Sequence, residues 1–221
     1  MISKSAFVLV FIGLGLGSPA SATAQTRSPM ERFEVGAVGG LNAFTLAGTG
    51  DTNIHGRSTF HAGIVATVPL GPRAFLEPQV VYAGKGANAR SSDVFGAINS
   101  AFRLTYIEVP VLVGLRFGTR VQPRVYVGPE IEFNINCELT ATYIGQPYIP
   151  NTTTCADAGL VMKQIDAGMT GGGAVAFAYG RGTVSLEGRY TVGLTTISTI
   201  RNVRHRGLSL GVGYTMPLAG F

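Results

Sequence analysis

The chain has 221 residues, a formal net charge of +5 and only 13% charged residues. Its basic residues are mostly scattered arginines, without the clustered stripe that marks a nucleic-acid binder. The 31 glycines and the many Val, Thr, Tyr and Phe suit sheet rather than helix, and the length suits a single domain.

The first 24 residues read as a cleavable signal peptide. Lys4 supplies a basic start, Ala6 to Gly17 is apolar, and Ala22-Thr23-Ala24 offers a small-residue cleavage site. The apolar run is about 12 residues, short of the roughly 20 that a membrane helix needs. Cleavage after Ala24 leaves residues 25–221 as one barrel domain, and no later segment has the apolar length of a membrane helix.

Period-two alternation then marks the strands, because successive side chains point to opposite faces. Phe33 to Ala43 is the first, and Thr59 to Leu70 the second, with Phe60, Ala62, Ile64, Ala66, Val68 and Leu70 on one face. Phe75 to Lys85 sets Leu76, Val80 and Tyr82 against Glu77, Gln79 and Lys85. Leu104 to Phe117 is the longest: Ile107, Val109, Val111, Val113, Leu115 and Phe117 share an unbroken apolar face, opposite Tyr106, Glu108, Gly114 and Arg116. Arg124 to Phe133 sets Val125, Val127, Ile131 and Phe133 against Arg124, Tyr126, Glu130 and Glu132. Ile165 to Ala178, Thr183 to Leu194 (with Glu187 and Arg189 on its polar face) and a last strand from Leu208 to Leu218 complete the set. The connections alternate: Thr45–Arg57, Gly86–Ala101, Asn134–Gln164 and Thr195–Arg206 are long, while Gly71–Arg73, Gly118–Pro123 and Tyr179–Gly182 are short.

Tyr106, Ile107, Glu108, Val109, Pro110, Leu112 and Val113 carry a resemblance. They are similar to the Y-[LI]-E-[IV]-P-x-L-[LV] strand of small bacterial outer-membrane β-barrels, the porin-like and PorT-like group. The resemblance implies a barrel in the outer membrane of a diderm bacterium and almost nothing about activity. The expected fold is all-β, an eight-stranded antiparallel up-and-down transmembrane barrel with short periplasmic turns and long external loops. The apolar face then meets lipid, with aromatics near both rims. The other face lines a narrow lumen, crossed by Glu77, Glu108, Arg116, Arg124, Glu130, Glu132, Glu187 and Arg189, with Lys85 among them. A soluble ligand-binding barrel would invert these faces. Pro78, Pro110 and Pro129 lie inside proposed strands, so bulges or local register adjustments are expected there.

Cys137 and Cys155 are expected to form a disulfide in the longest external loop, since exported chains oxidise paired cysteines. No metal site, cofactor or catalytic residue is expected. His55 and His205 read as loop residues and His61 as a lumen residue; Ser58, His61 and Glu77 lack a spacing that would fix a hydrolytic triad. Arg201, Arg204 and Arg206 suit contact with lipopolysaccharide phosphates, which Arg matches bidentately. The expected partners are outer-membrane lipid, lipopolysaccharide and, during biogenesis, the barrel assembly machinery; the expected state is a monomer. The leading role is structural or surface-interacting through the loops. A narrow small-solute pore and a lipid-modifying enzyme are the alternatives.

Overall fold

The structure, a computed structural model, describes residues 32–47, 54–93, 96–144, 151–197 and 203–218. The expected signal peptide lies outside them. The strands are β1 (Glu34–Ala47), β2 (Ile54–Pro69), β3 (Ala74–Asp93), β4 (Gly96–Arg116), β5 (Val121–Ile144), β6 (Asn151–Thr154), β7 (Ile165–Tyr179), β8 (Gly182–Gly193) and β9 (Arg204–Pro217). They pair antiparallel in the order β4-β3-β2-β1-β9-β8-β7-β5, and a β4–β5 ladder closes the ring. Eight strands therefore form the wall. The ninth, β6, adds to β5 alone, pairing Asn151–Thr154 with Glu138–Ala141 beyond the wall.

The alternation sets which way each residue points. Leu41, Ile64 and Leu210 are 68%, 65% and 61% exposed, while the residues flanking them in sequence turn toward the interior. Large apolar side chains outside and charged ones inside is the pattern of a wall in lipid, where a closed ring leaves no backbone edge unpaired. Phe117, Phe177 and Tyr179 stand outward at the short-turn rim. Phe60 and Tyr82 stack outward at 5.9 Å, and Phe133 stands above them toward the long-loop rim. The tight turns place Gly118 and Gly180 at φ 73° and 60°, a left-handed conformation that a side chain disfavours.

Six strands run past the sequence expectation. β1 continues to Ala47 and β2 begins at Ile54, so that His55, expected in a loop, pairs with Asn88 of β3. Four more are prolonged. Gly86–Ala101, expected as a connection, forms the upper parts of β3 and β4, paired from Lys85–Leu104 to Asp93–Gly96. Asn134–Ile144 likewise prolongs β5, and β9 begins at Arg204 rather than Leu208. Past the apolar belt neither face of a strand meets lipid, so no apolar period announces it.

The expected adjustments at the prolines do not occur. Registers on either side of each proline are continuous, and the shifts fall elsewhere, between Gly56 and His61 and between Thr105 and Tyr106. Instead each proline interrupts the ladder to the preceding strand. The β2–β3 ladder breaks at Ala66–Thr67 against Glu77–Pro78, β3–β4 at Gln79–Val80 against Val109–Pro110, and β4–β5 at Val111–Leu112 against Gly128–Pro129. On its other flank each proline keeps its partner: Pro78 with Val111, Pro110 with Glu130, Pro129 with Met169. A missing N–H removes bonding on one side only, so the strand need not bulge.

Candidate functional site

The lumen holds the chemistry. Every charged residue expected there points inward, in layers fixed by the pairing registers. At the short-turn end, Glu34 accepts a 2.6 Å hydrogen bond from Thr215, and Arg116 is fully buried. Phe75, Leu112 and Tyr126 pack above them, with the Arg124 guanidinium 5.9 Å from the Phe75 ring.

The middle layer centres on Arg189. Its Nη2 lies 2.6 Å from Glu187 Oε1, and its Nη1 donates to Gln79 Oε1 at 2.8 Å. Gln79 donates in turn to Glu77 at 2.8 Å, and Glu77 also accepts from Thr67 at 3.2 Å. Two small cavities, each with about 20 Å³ of water-sized space, lie against Arg189; Glu77, Arg124 and Glu187 line one, and His61, Glu108 and Glu130 the other. Each is enough for about one water. Such a lumen is filled by side chains, as expected of eight strands.

The outer layer is built on Lys85, which is 1% exposed. Its Nζ lies 2.7 Å from Glu108 Oε1, 2.7 Å from Glu132 Oε2 and 3.2 Å from His205 Nε2. The rings of Phe44 and Tyr106 face the ammonium at 4.6 and 5.3 Å, adding cation–π attraction. His205 Nε2 is 2.8 Å from Glu132 Oε1, and Tyr106 donates to Asp166 at 3.3 Å. Glu130 accepts from Thr170 at 2.6 Å. His205 corrects the sequence reading: it is an inward residue of β9, not a loop residue. Arginines on both sides of it hid the alternation, for Arg204 and Arg206 point outward at the end of the apolar belt.

Above this layer Leu104, Tyr106, Ile197 and Val203 form an apolar cap, with Leu46, Cys137 and Met162 against it. The segment after β8 enters the mouth and is held there by Ile197 N–H to Val203 O at 2.9 Å and Lys163 N–H to Ile197 O at 3.0 Å. Cys137 and Cys155 are joined in a disulfide with Cα atoms 5.4 Å apart, tying β5 to the turn after β6. Arg201 lies outside the described residues.

No hydrolytic triad assembles from the residues considered above. His61 Nδ1 lies 2.7 Å from Asn42 Oδ1, Glu77 is engaged by Thr67 and Gln79, and Ser58 is exposed.

An inward-charged, outward-apolar, closed eight-stranded wall defines an integral outer-membrane barrel. The outer membrane protein beta-barrel domain family matches residues 23–199, and the chain belongs to that family. The protein is therefore located in the outer membrane, with the short-turn rim periplasmic and the long hairpins external. Among solved structures, the chain is similar to the attachment invasion locus protein Ail of Yersinia pestis, at 13% identity and a TM-score of 0.43, over 84% of this chain and 99% of that one. It is also similar to neisserial surface protein A, at 18% identity and a TM-score of 0.44, over 82% and 95%. OprG of Pseudomonas aeruginosa aligns at 10% identity and a TM-score of 0.46, over 85% and 98%. No curated protein matches the sequence.

Proposed function

We propose that this protein is a non-enzymatic barrel whose role is structural or surface-interacting, exercised through its external hairpins. The observation that carries this reading is the closed lumen. Its charged groups are engaged in layers, and the Ile197 segment caps the mouth, while β3, β4, β5 and β6 extend a disulfide-tied sheet outside. Long external connections on a rigid scaffold are where such a protein varies its chemistry. Arg204 and Arg206, outward at the external end of the belt, support contact with lipopolysaccharide phosphates. The expected state is a monomer, delivered by the barrel assembly machinery.

A narrow pore is the second reading, favoured by the two cavities meeting at Arg189. Single-channel recording in planar bilayers separates the two. The leading reading expects no unitary steps from the wild type, and reproducible steps from a homogeneous preparation would replace it with the pore.

A further inference from the structure

We infer that Glu130, Glu132 and His205 form a binding site for one divalent transition-metal cation at the external end of the lumen. Oxygen atoms of the two carboxylates and a nitrogen of the imidazole lie within 4.8 Å of one another, and all three residues are buried. Glu130 and Glu132 are two apart on β5, so alternation puts them on one face; β9 brings His205 to them from across the lumen.

Two further observations point to a ligand. Glu130 is 3% exposed, and its Oε1 has no hydrogen-bond donor among the described residues. A buried acceptor left so is costly. That same oxygen converges with Glu132 Oε1 on Gly168, where a Cβ would stand 2.8 Å from the first and 3.2 Å from the second. No side chain fits there, so glycine is what lets the two carboxylate oxygens converge on the inner face of β7.

Charge points the same way. Three carboxyl groups, those of Glu108, Glu130 and Glu132, surround the single ammonium of Lys85. Arg189, on the same cavity, is committed to Glu187 and Gln79. Asp166, on the far side, accepts from Tyr106 and has Lys163 as a nearby cation. One imidazole with two carboxylates suits zinc or manganese better than calcium, which takes a fuller shell of oxygens. Lys85 stays on Glu132 Oε2 and Glu108 while the metal takes the Oε1 side.

Because the mouth is capped, the test supplies metal during folding. Untagged protein is folded into detergent with zinc chloride alone, desalted through a mild chelator, and its zinc measured by elemental analysis. Folding is followed by heat-modifiable gel migration. The wild type is expected to retain one zinc per chain. Glu130→Gln and His205→Gln should each weaken retention by roughly tenfold or more, the scale on which even supporting residues act. Gly168→Ala keeps every ligand, pushes the Glu130 and Glu132 oxygens from their places and is expected to lose zinc while folding; it decides the matter if the ligand variants fail to fold. Zinc absent from folded wild type, or retained equally by folded Gly168→Ala, overturns the inference.

Discussion

Replacing Lys85 with Met tests whether the outer layer holds the wall together. The ammonium is 1% exposed, and two carboxylates lie 2.7 Å from it, one of them fully buried. Met matches the stem in length, so little volume changes and the lost charge dominates. Removing one partner of a buried pair costs about 3–5 kcal/mol, because the remaining charge has no compensation. At a urea dependence of about 2 kcal/mol per molar, the unfolding midpoint should fall by roughly 2 M. The assay is equilibrium urea unfolding in detergent with a chelator present, read by circular dichroism and heat-modifiable migration. Glu132→Gln in the same background should recover part of the loss, since the pair fails as a unit. A Lys85→Met midpoint within the error of the wild type would refute the reasoning and make the layer a passive filling.

Depth on the lipid face gives a second prediction. Val127→Arg, facing lipid in the middle of β5's apolar stretch, should cost about 2–4 kcal/mol in a lipid-bilayer unfolding titration, whereas Ile135→Arg, four periods of the alternation higher, should cost about 0–1 kcal/mol. Equal costs would mean that the belt is misplaced. Cys137→Ser with Cys155→Ser should remove about 3 kcal/mol of closure from the external hairpin. It should appear as faster protease nicking between β5 and β7 and as a lower unfolding midpoint for the whole barrel, because the cross-link constrains the unfolded chain. Gly207→Val should cost about 1–3 kcal/mol through overpacking, because a Cβ there stands 2.5 Å from the buried Phe44 ring and 2.7 Å from Ala43 O. Thermal unfolding with Phe44→Ala as a relieving partner checks that cause.

The wall was legible because lipid and lumen impose opposite demands on neighbouring residues. Val111, Val113 and Leu115 against Glu108 and Arg116 state both faces within one strand. The same physics explains the failures. Residues 86–101 rise past the apolar belt, so nothing in their composition of Ala, Asn and Ser distinguishes strand from loop. His205 was hidden by Arg204 and Arg206, polar for a different reason at the end of the belt. The site needed more than alternation. Lys85, Glu132 and His205 are far apart in sequence, and only the closed register brings them to one height. Gly168 carries no signal of its own; its value is that two carboxylate oxygens can approach the backbone there.

The three interrupted ladders lie on one arc of the wall. Pro78, Pro110 and Pro129 lie at neighbouring heights on successive strands, so the breaks run obliquely across β2 to β5 as one line. The remaining ladders, from β7 through β8 and β9 to β1, run unbroken. Ladder pairing is therefore unbroken along one arc and thinned along the other, and the thinned arc is the one that carries the tall external sheet.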